Sequence, residues 1–396
     1  MKKLTKDIAW SFLSFIFRLL SNVVIFIIIA RSYGPDKFGQ FSFYTLIGSF
    51  LLLMSDFGVH QRYFSILSIN ETCDREIRKL LTIKLTFVSL SFLLLFLFTI
   101  YNKSVALLCV GSSFIINSLY DFFLIRLRAN GEFKKETLYA FINNVCFFVT
   151  SAICLLYTHD IILLSFTMLF SRVIALFIVL KMSKKVHALS ICKIKLKDII
   201  EHVYYGLDFI LINIWSFLDG AIVRLVYSNL LFGVYSSFTR LTNGVSSLSV
   251  IVTNVLFSKI ANDALKKEHN NLVFSCGVFF LSGLSLLLLV SLYGSEIILL
   301  VLGHEYEKYS LLLILLTIPI VLKWLSSGFG IYLFSLGLVK FRVWIQLVSI
   351  MLFFSTTFVL YYFIKDVMII PIAMSISYLS IFISYLFLVL RKINDN

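Results

Sequence analysis

The sequence predicts an all-α, polytopic membrane protein with twelve transmembrane helices in two pseudo-symmetric six-helix lobes around a central cavity. Three observations carry that expectation. Hydrophobic residues make up 60% of the 396-residue chain and charged residues only 14%, whereas a water-facing domain carries about 25% charged residues. The apolar residues gather into twelve runs, each about the 20 residues that cross a hydrocarbon core, or longer and therefore tilted. The third is a repeat: Phe38-Gly39-Gln40-Phe41-Ser42-Phe43 returns 194 positions later as Phe232-Gly233-Val234-Tyr235-Ser236-Ser237. That shift is close to half the chain. Two similar membrane halves, neither able to enclose a path alone, are the usual plan of a transporter whose site lies between them.

The runs occupy residues 8–30, 41–67, 81–101, 105–125, 138–157, 161–180, 203–227, 234–260, 272–293, 311–336, 343–363 and 367–390. Stretches 88–101 and 284–293 are almost continuously apolar, which excludes the alternation of an outer-membrane barrel. The basic start suggests a signal peptide, but the apolar run is too long and no small-x-small cleavage site follows. It reads as a retained first span.

Lys and Arg orient the bundle. The N-terminus and alternate connections hold Lys2, Lys3 and Lys6, then Arg75, Arg78, Lys79 and Lys84, then Arg126, Arg128, Lys134 and Lys135. Lys181, Lys184, Lys185, Lys193, Lys195 and Lys197 follow, and later Lys259, Lys266, Lys267, Lys340, Arg342, Arg391 and Lys392. The opposite connections hold only Arg31, Lys37, Lys103, Lys308 and Lys365. Positive excess marks the cytoplasmic side, so both termini are expected there. The net charge of +14 then belongs to loops facing anionic headgroups. With no polar domain to concentrate it, nucleic acid is not an expected partner.

Organisation follows from the longest basic connection, which sits at the midpoint. It divides the chain into an N-terminal lobe at 1–181, a cytoplasmic linker at 182–202 and a C-terminal lobe at 203–396. Six spans per lobe, an even number, make the repeat parallel rather than inverted. A weaker echo, Asn130-Gly131-Glu132-Phe133-Lys134 against Leu336-Gly337-Leu338-Val339-Lys340, has an offset of 206. The longest external connection, 294–310, contains Glu296, Glu305 and Glu307. No extramembrane domain is left to hold an active site.

Enzyme chemistry finds no support in the motifs. The six cysteines show no CxxC spacing, the six histidines are scattered, and there is no HExxH, Walker lysine or GxSxG. No catalysis, cofactor or metal is expected.

Ionisable groups at bilayer depth are costly unless they face a wet cavity or a partner. Span one presents Ser11, Ser14, Arg18, Ser21 and Asn22 on one helical face, because steps of three and four share a side. Arg18 either pairs with a carboxylate such as Asp121 or lines a cavity. Span eight repeats the device with Ser236, Arg240, Asn243, Ser247 and Asn254. Helix-packing glue needs the Ser and Asn but not the Arg, which favours a cavity wall. Span seven carries Asp208 and Asp219, with Arg224 near its outer end. The two aspartates are candidates for proton or ion coupling, and a static Asp219–Arg240 pair is an equal reading. In span ten, Lys323, Ser326 and Ser327 follow Pro319, which would bend the helix. Asp56, Arg62, Asp121 and Arg172 are candidates for gate or lateral ion pairs, and His60 lies one turn from Asp56. Arg62 can also snorkel to headgroups.

One segment resembles a known family. Ala30-Arg31-Ser32-Tyr33-Gly34-Pro35-Asp36-Lys37-Phe38-Gly39, followed by a span containing Asp56-Phe57-Gly58, resembles the opening of polysaccharide flippases of the Wzx type. These belong to the multidrug/oligosaccharidyl-lipid/polysaccharide exporter superfamily. Specific likeness is concentrated in the first seventy residues; span count and length fit throughout. The resemblance implies two six-helix lobes whose central cavity opens alternately to each side of a bacterial inner membrane. It implies that an undecaprenyl-diphosphate-linked O-antigen or capsule repeat unit moves from the cytoplasmic to the outer leaflet. A polysaccharide polymerase and a chain-length regulator are candidate partners, beside membrane lipids. Arg18, Arg224, Arg240 and Lys323 would shield the anionic headgroup, a role resting on position and helical phase rather than on motif match. Multidrug or cation antiport shares the fold, but such transporters carry an acidic site deep in span one, where this chain has Arg18. A polysaccharide polymerase, from another class, would need a larger external loop. A lipid II flippase would usually have about fourteen spans, which disfavours that reading.

Overall fold

Glycine and proline decide where the first long helix turns. Helix α1 (Lys2–Asp56) is two helices joined at Gly34, whose φ of 71° and ψ of 172° interrupt the spiral. That backbone region is essentially glycine-only. Pro35 then opens the second helix, where its missing N–H costs nothing and its fixed φ is already helical. The Gly-Pro pair thus separates spans one and two without a loop. The structure, a computed structural model, describes residues 2–60, 62–63, 74–129, 132–158, 160–182, 202–203, 206, 209–210, 213–266, 270–336 and 338–394.

The remaining helices are α2 (Asp74–Asn102), α3 (Val105–Ala129), α4 (Phe133–Tyr157), α5 (Ile161–Met182), α6 (Trp215–Val226), α7 (Asn229–Lys266), α8 (Asn270–Val301), α9 (His304–Glu307), α10 (Ser310–Ser335), α11 (Val339–Phe363) and α12 (Ile369–Asn394). With α1 counted as its two parts and single-turn α9 set aside, they follow the twelve expected spans. Among the described residues, nine helical segments are long and apolar enough to cross a membrane. The chain is an all-helical, multi-pass membrane protein. Its outward faces agree: Phe96, Leu97, Phe177, Leu281 and Phe358 are all exposed, an apolar belt that suits lipid and not water.

Two compact units divide the chain, one of residues 1–33 and 37–221, the other of 34–36 and 222–396. Inside the first, α3 packs on α5 and α2, and α4 packs on α5. Inside the second, α10 packs on α12 and α8, and α11 packs on α12. Span four therefore does in one unit what span ten does in the other. The repeated motif obeys the same rule, since Phe38, Phe41 and Ser42 are buried, as are Phe232, Tyr235 and Ser236. The weaker echo has its glycines, Gly131 and Gly337, outside the described residues, as is the linker at 182–202 apart from Met182 and His202.

The first core gathers Tyr63, Leu80, Tyr120, Phe122, Tyr139 and Val179, with Tyr63 stacked on Phe122 at 4.7 Å. The second contains Phe279, Ile320 and Trp324, backed by Val245 and Leu286.

Two local expectations are corrected. Span two does not run unbroken through 41–67: its helix stops at Asp56, and Phe57 (φ 41°) and Gly58 (φ 73°) turn left-handed. Phe57 stacks on Phe87 at 4.4 Å, and a Cβ on Gly206 would fall 2.2 Å from its ring. Aromatic packing holds the turn where helix propensity would have continued. The external connection at 294–310 is mostly helical, because α8 only kinks at Tyr293 and runs on to Val301. Single-turn α9 follows, anchored by buried Tyr306, whose hydroxyl burial pushes above its ordinary pKa. Helix α10 holds Pro319 inside its run from Ser310 to Ser335.

Candidate functional site

A lysine among the expected loop charges is, among the described residues, the most buried cation of the first unit. Lys84 lies almost three turns inside α2, fully enclosed, and a charge in such a place must be paired. Its Nζ donates to Asp56 Oδ1 at 3.2 Å and to Ser118 Oγ on α3. The Asp56 carboxylate also meets His60 Nδ1, one helical turn on and across the Phe57–Gly58 break. The left-handed turn returns the chain so that His60 and Asp56 share one side.

Helix α3 carries the network onward. Asn117, next to Ser118, donates through Nδ2 to Asp121 Oδ2 at 3.1 Å, the i, i+4 geometry of one helical face. Asn143 of α4 donates to Asn117 Oδ1 at 3.4 Å, and Arg172 Nη1 of α5 donates to Asn143 Oδ1 at 2.7 Å. The Arg172 guanidinium lies 4.9 Å from the Phe147 ring centroid, a cation–π arrangement. Asp56, Lys84 and Ser118 join α1, α2 and α3, and Asn117, Asp121, Asn143 and Arg172 join α3, α4 and α5, so five helices are tied through the interior of the first unit by two clusters that share α3. Such a cluster fixes how the helices register.

One of these links is directly measurable. A double-mutant cycle between Arg172→Met and Asn143→Ala should return a coupling of about 1.5–3 kcal/mol in unfolding of the detergent-solubilised protein, the range for hydrogen bonds to charged groups. Additive losses would mean that the two side chains do not act together.

Of the residues singled out from sequence, Asp56, Asp121 and Arg172 are brought into this network. Arg62 is half-buried just beyond the break, its N–H on Gly58 O at 3.2 Å. Asp219 is buried on α6, Arg224 is half-buried on α6, Arg240 is half-buried on α7, and Lys323 is exposed on α10. Asp219 belongs to the first unit and Arg240 to the second. Arg18 falls in α1, but its side chain lies outside the described residues, as does Asp208 entirely. Lys84 was the omission. Its flanks, Leu81-Thr82-Ile83 and Leu85-Thr86-Phe87, placed it inside the expected span at 81–101, and that was the signal against a loop position.

Residues 28–311 match the family described as "Polysaccharide biosynthesis protein". The chain belongs to this family. No curated protein matches it. Among solved structures, this polysaccharide biosynthesis protein is similar to the lipid II flippase MurJ in an inward closed conformation, with 16% identity over 96% of this chain and 87% of that one and a TM-score of 0.77. It is also similar to an inward-facing multidrug resistance transporter of the MATE family, with 11% identity, 96% and 95% coverage and a TM-score of 0.74. A MATE structure in complex with MaD5 follows at 12% identity, 100% and 97% coverage and a TM-score of 0.64. At these identities the likeness is one of fold.

Proposed function

We propose that this protein is a flippase that moves an undecaprenyl-diphosphate-linked polysaccharide repeat unit, of O-antigen or capsule type, from the cytoplasmic to the outer leaflet by alternating access. The observation that carries the reading is the pairing of polysaccharide-biosynthesis family membership with the fold of a lipid-linked-substrate flippase. The protein would sit in the bacterial inner membrane with both termini cytoplasmic, its lobes at 1–181 and 203–396 joined by the basic linker. Arg18, Arg224, Arg240 and Lys323 would hold the diphosphate and sugars while the prenyl tail stays in lipid. Asp208 and Asp219 remain the candidates for coupling to a proton or ion gradient. A polysaccharide polymerase and a chain-length regulator would take up the product. No bond is made or broken in this scheme, so no catalytic residue is assigned.

Deletion of the gene in its native host tests the reading. The lipid-linked repeat unit should accumulate in the cytoplasmic leaflet, out of reach of an impermeant lectin or oxidant. Accumulation of single units in the outer leaflet would point to a polymerase instead. Arg18→Ala and Arg240→Ala are expected to impair export with the protein level unchanged, and full export in both would remove the cationic-cavity reading.

A second reading is favoured by the MATE likeness, namely efflux of a cationic drug. It predicts drug hypersensitivity on deletion with normal surface polysaccharide, the reverse of the outcome above.

A further inference from the structure

The first unit holds a cleft of about 460 Å³, lined among others by Lys37, Gln40, Tyr44, Lys103 and Asp160. It lies at the helix ends away from the Lys- and Arg-rich connections. Lys37 sits in the first turn after the Gly34 kink, while Val105 and Ile161, first residues of α3 and α5, also line the cleft. Three helix N-termini therefore converge on one hollow, each with positive dipole character.

The side chains add charge of the same sign. Lys37 and Lys103 are both exposed, and among the described residues neither has an ion pair or hydrogen bond. Asp160, the one acid in the lining, is already engaged: its carboxylate accepts the Ile162 N–H at 2.9 Å, and its carbonyl accepts the Tyr33 hydroxyl at 3.2 Å. Tyr44 is buried to 6% exposure. Its hydroxyl accepts Gln40 Nε2–H at 2.8 Å, which leaves its own proton to donate into the hollow. Val105 and Ile162 at the margin are 59% and 50% exposed, so an apolar shoulder adjoins the cationic floor. Anion below and hydrocarbon beside is the chemistry of a phospho-lipid headgroup with its tail still in the bilayer.

We propose that this cleft binds the phosphate or diphosphate group of a lipid headgroup, held between Lys37 and Lys103 with Tyr44 as a further donor. The inference deepens the flippase reading and rests on it for the identity of the lipid. The cleft would receive the headgroup on the outer side and lower the chance of its return.

The test uses the full chain in phosphatidylcholine nanodiscs, titrated separately with undecaprenyl diphosphate, phosphatidylglycerol and inorganic pyrophosphate. Undecaprenyl diphosphate should bind the wild type and about tenfold more weakly when Lys37→Gln and Lys103→Asn are combined, with salt weakening the wild type alone. Asn is chosen because Lys103 is left-handed, with φ 49°, a conformation that Asn tolerates. The Lys37→Arg/Lys103→Arg pair should retain binding, which controls for misfolding. Equal lysine dependence with phosphatidylglycerol would make the site one for anionic lipids at large, and with pyrophosphate alone, one that reads phosphate without the tail; both support the cleft. Binding of all three probes that ignores both lysines, or no binding of any, overturns it. Lysine-dependent binding alongside normal leaflet distribution in the deletion strain would instead remove the flippase reading and leave the cleft standing.

Discussion

Lys84→Met is expected to lower the unfolding free energy of the solubilised protein by about 3–5 kcal/mol, the cost of leaving a buried charge without its partner. The loss belongs to Asp56, which is 3% exposed and would keep His60 alone as a counter-group. Lys84 itself, once replaced by an apolar chain of similar length, removes a desolvation cost. The double variant Lys84→Met/Asp56→Leu should therefore recover much of the loss, because an uncharged, well-packed pair is about as stable as a buried ion pair. A loss under about 1 kcal/mol in the single variant would show that the pair contributes little. Failure of the double variant to recover would place the energy in Ser118 and His60 instead. Transport separates stability from mechanism: a double variant that folds and no longer exports would mean that the charges must change partners during the cycle.

Gly34→Ala should cost about 1–3 kcal/mol through backbone strain alone, since φ 71° with ψ 172° excludes a Cβ. A second term is steric. The added Cβ would lie 2.7 Å from Glu305 Oε2, within the same compact unit. Glu305→Ala in the Gly34→Ala background relieves the steric part and leaves the strain, so the two can be read apart by thermal unfolding. If Gly34→Ala were silent, the sharp turn between spans one and two would not be needed. Pro35, with no N–H to donate, reinforces the break that Gly34 makes.

Much of the fold was legible in the sequence because lipid imposes a simple rule on long apolar runs. The repeat at Phe38 and Phe232 located the internal symmetry, and burial of the same positions in both units gives the reason: the motif is a packing surface. What escaped was local. Phe57 has no propensity for a left-handed turn, and only its stacking on Phe87 and the space at Gly206 place it there. Tyr293 marks a kink inside a helix, where hydropathy alone ends the span and begins a loop. Lys84 escaped because a cation near a span boundary looks like a topological signal, and only the three-dimensional position of Asp56 distinguishes it. Asp121 and Arg172 were visible as charges at depth. The Asn117–Asn143 bridge between them was not, since asparagines on different helices reveal nothing of their partners in one dimension.

The Asp56–Lys84 pair also bears on how the chain enters the bilayer. The two residues are 28 positions apart, on neighbouring spans, so they leave the ribosome in quick succession as a helical hairpin. A lone ammonium delivered to the hydrocarbon would stall at the interface, whereas two opposite charges can cancel in the lateral exit of the insertion machinery. Biogenesis, as much as the finished architecture, then depends on this contact: removing Asp56 alone should leave span three hesitating at the membrane surface, visible as altered protease or glycosylation-tag accessibility before any loss of transport is measured.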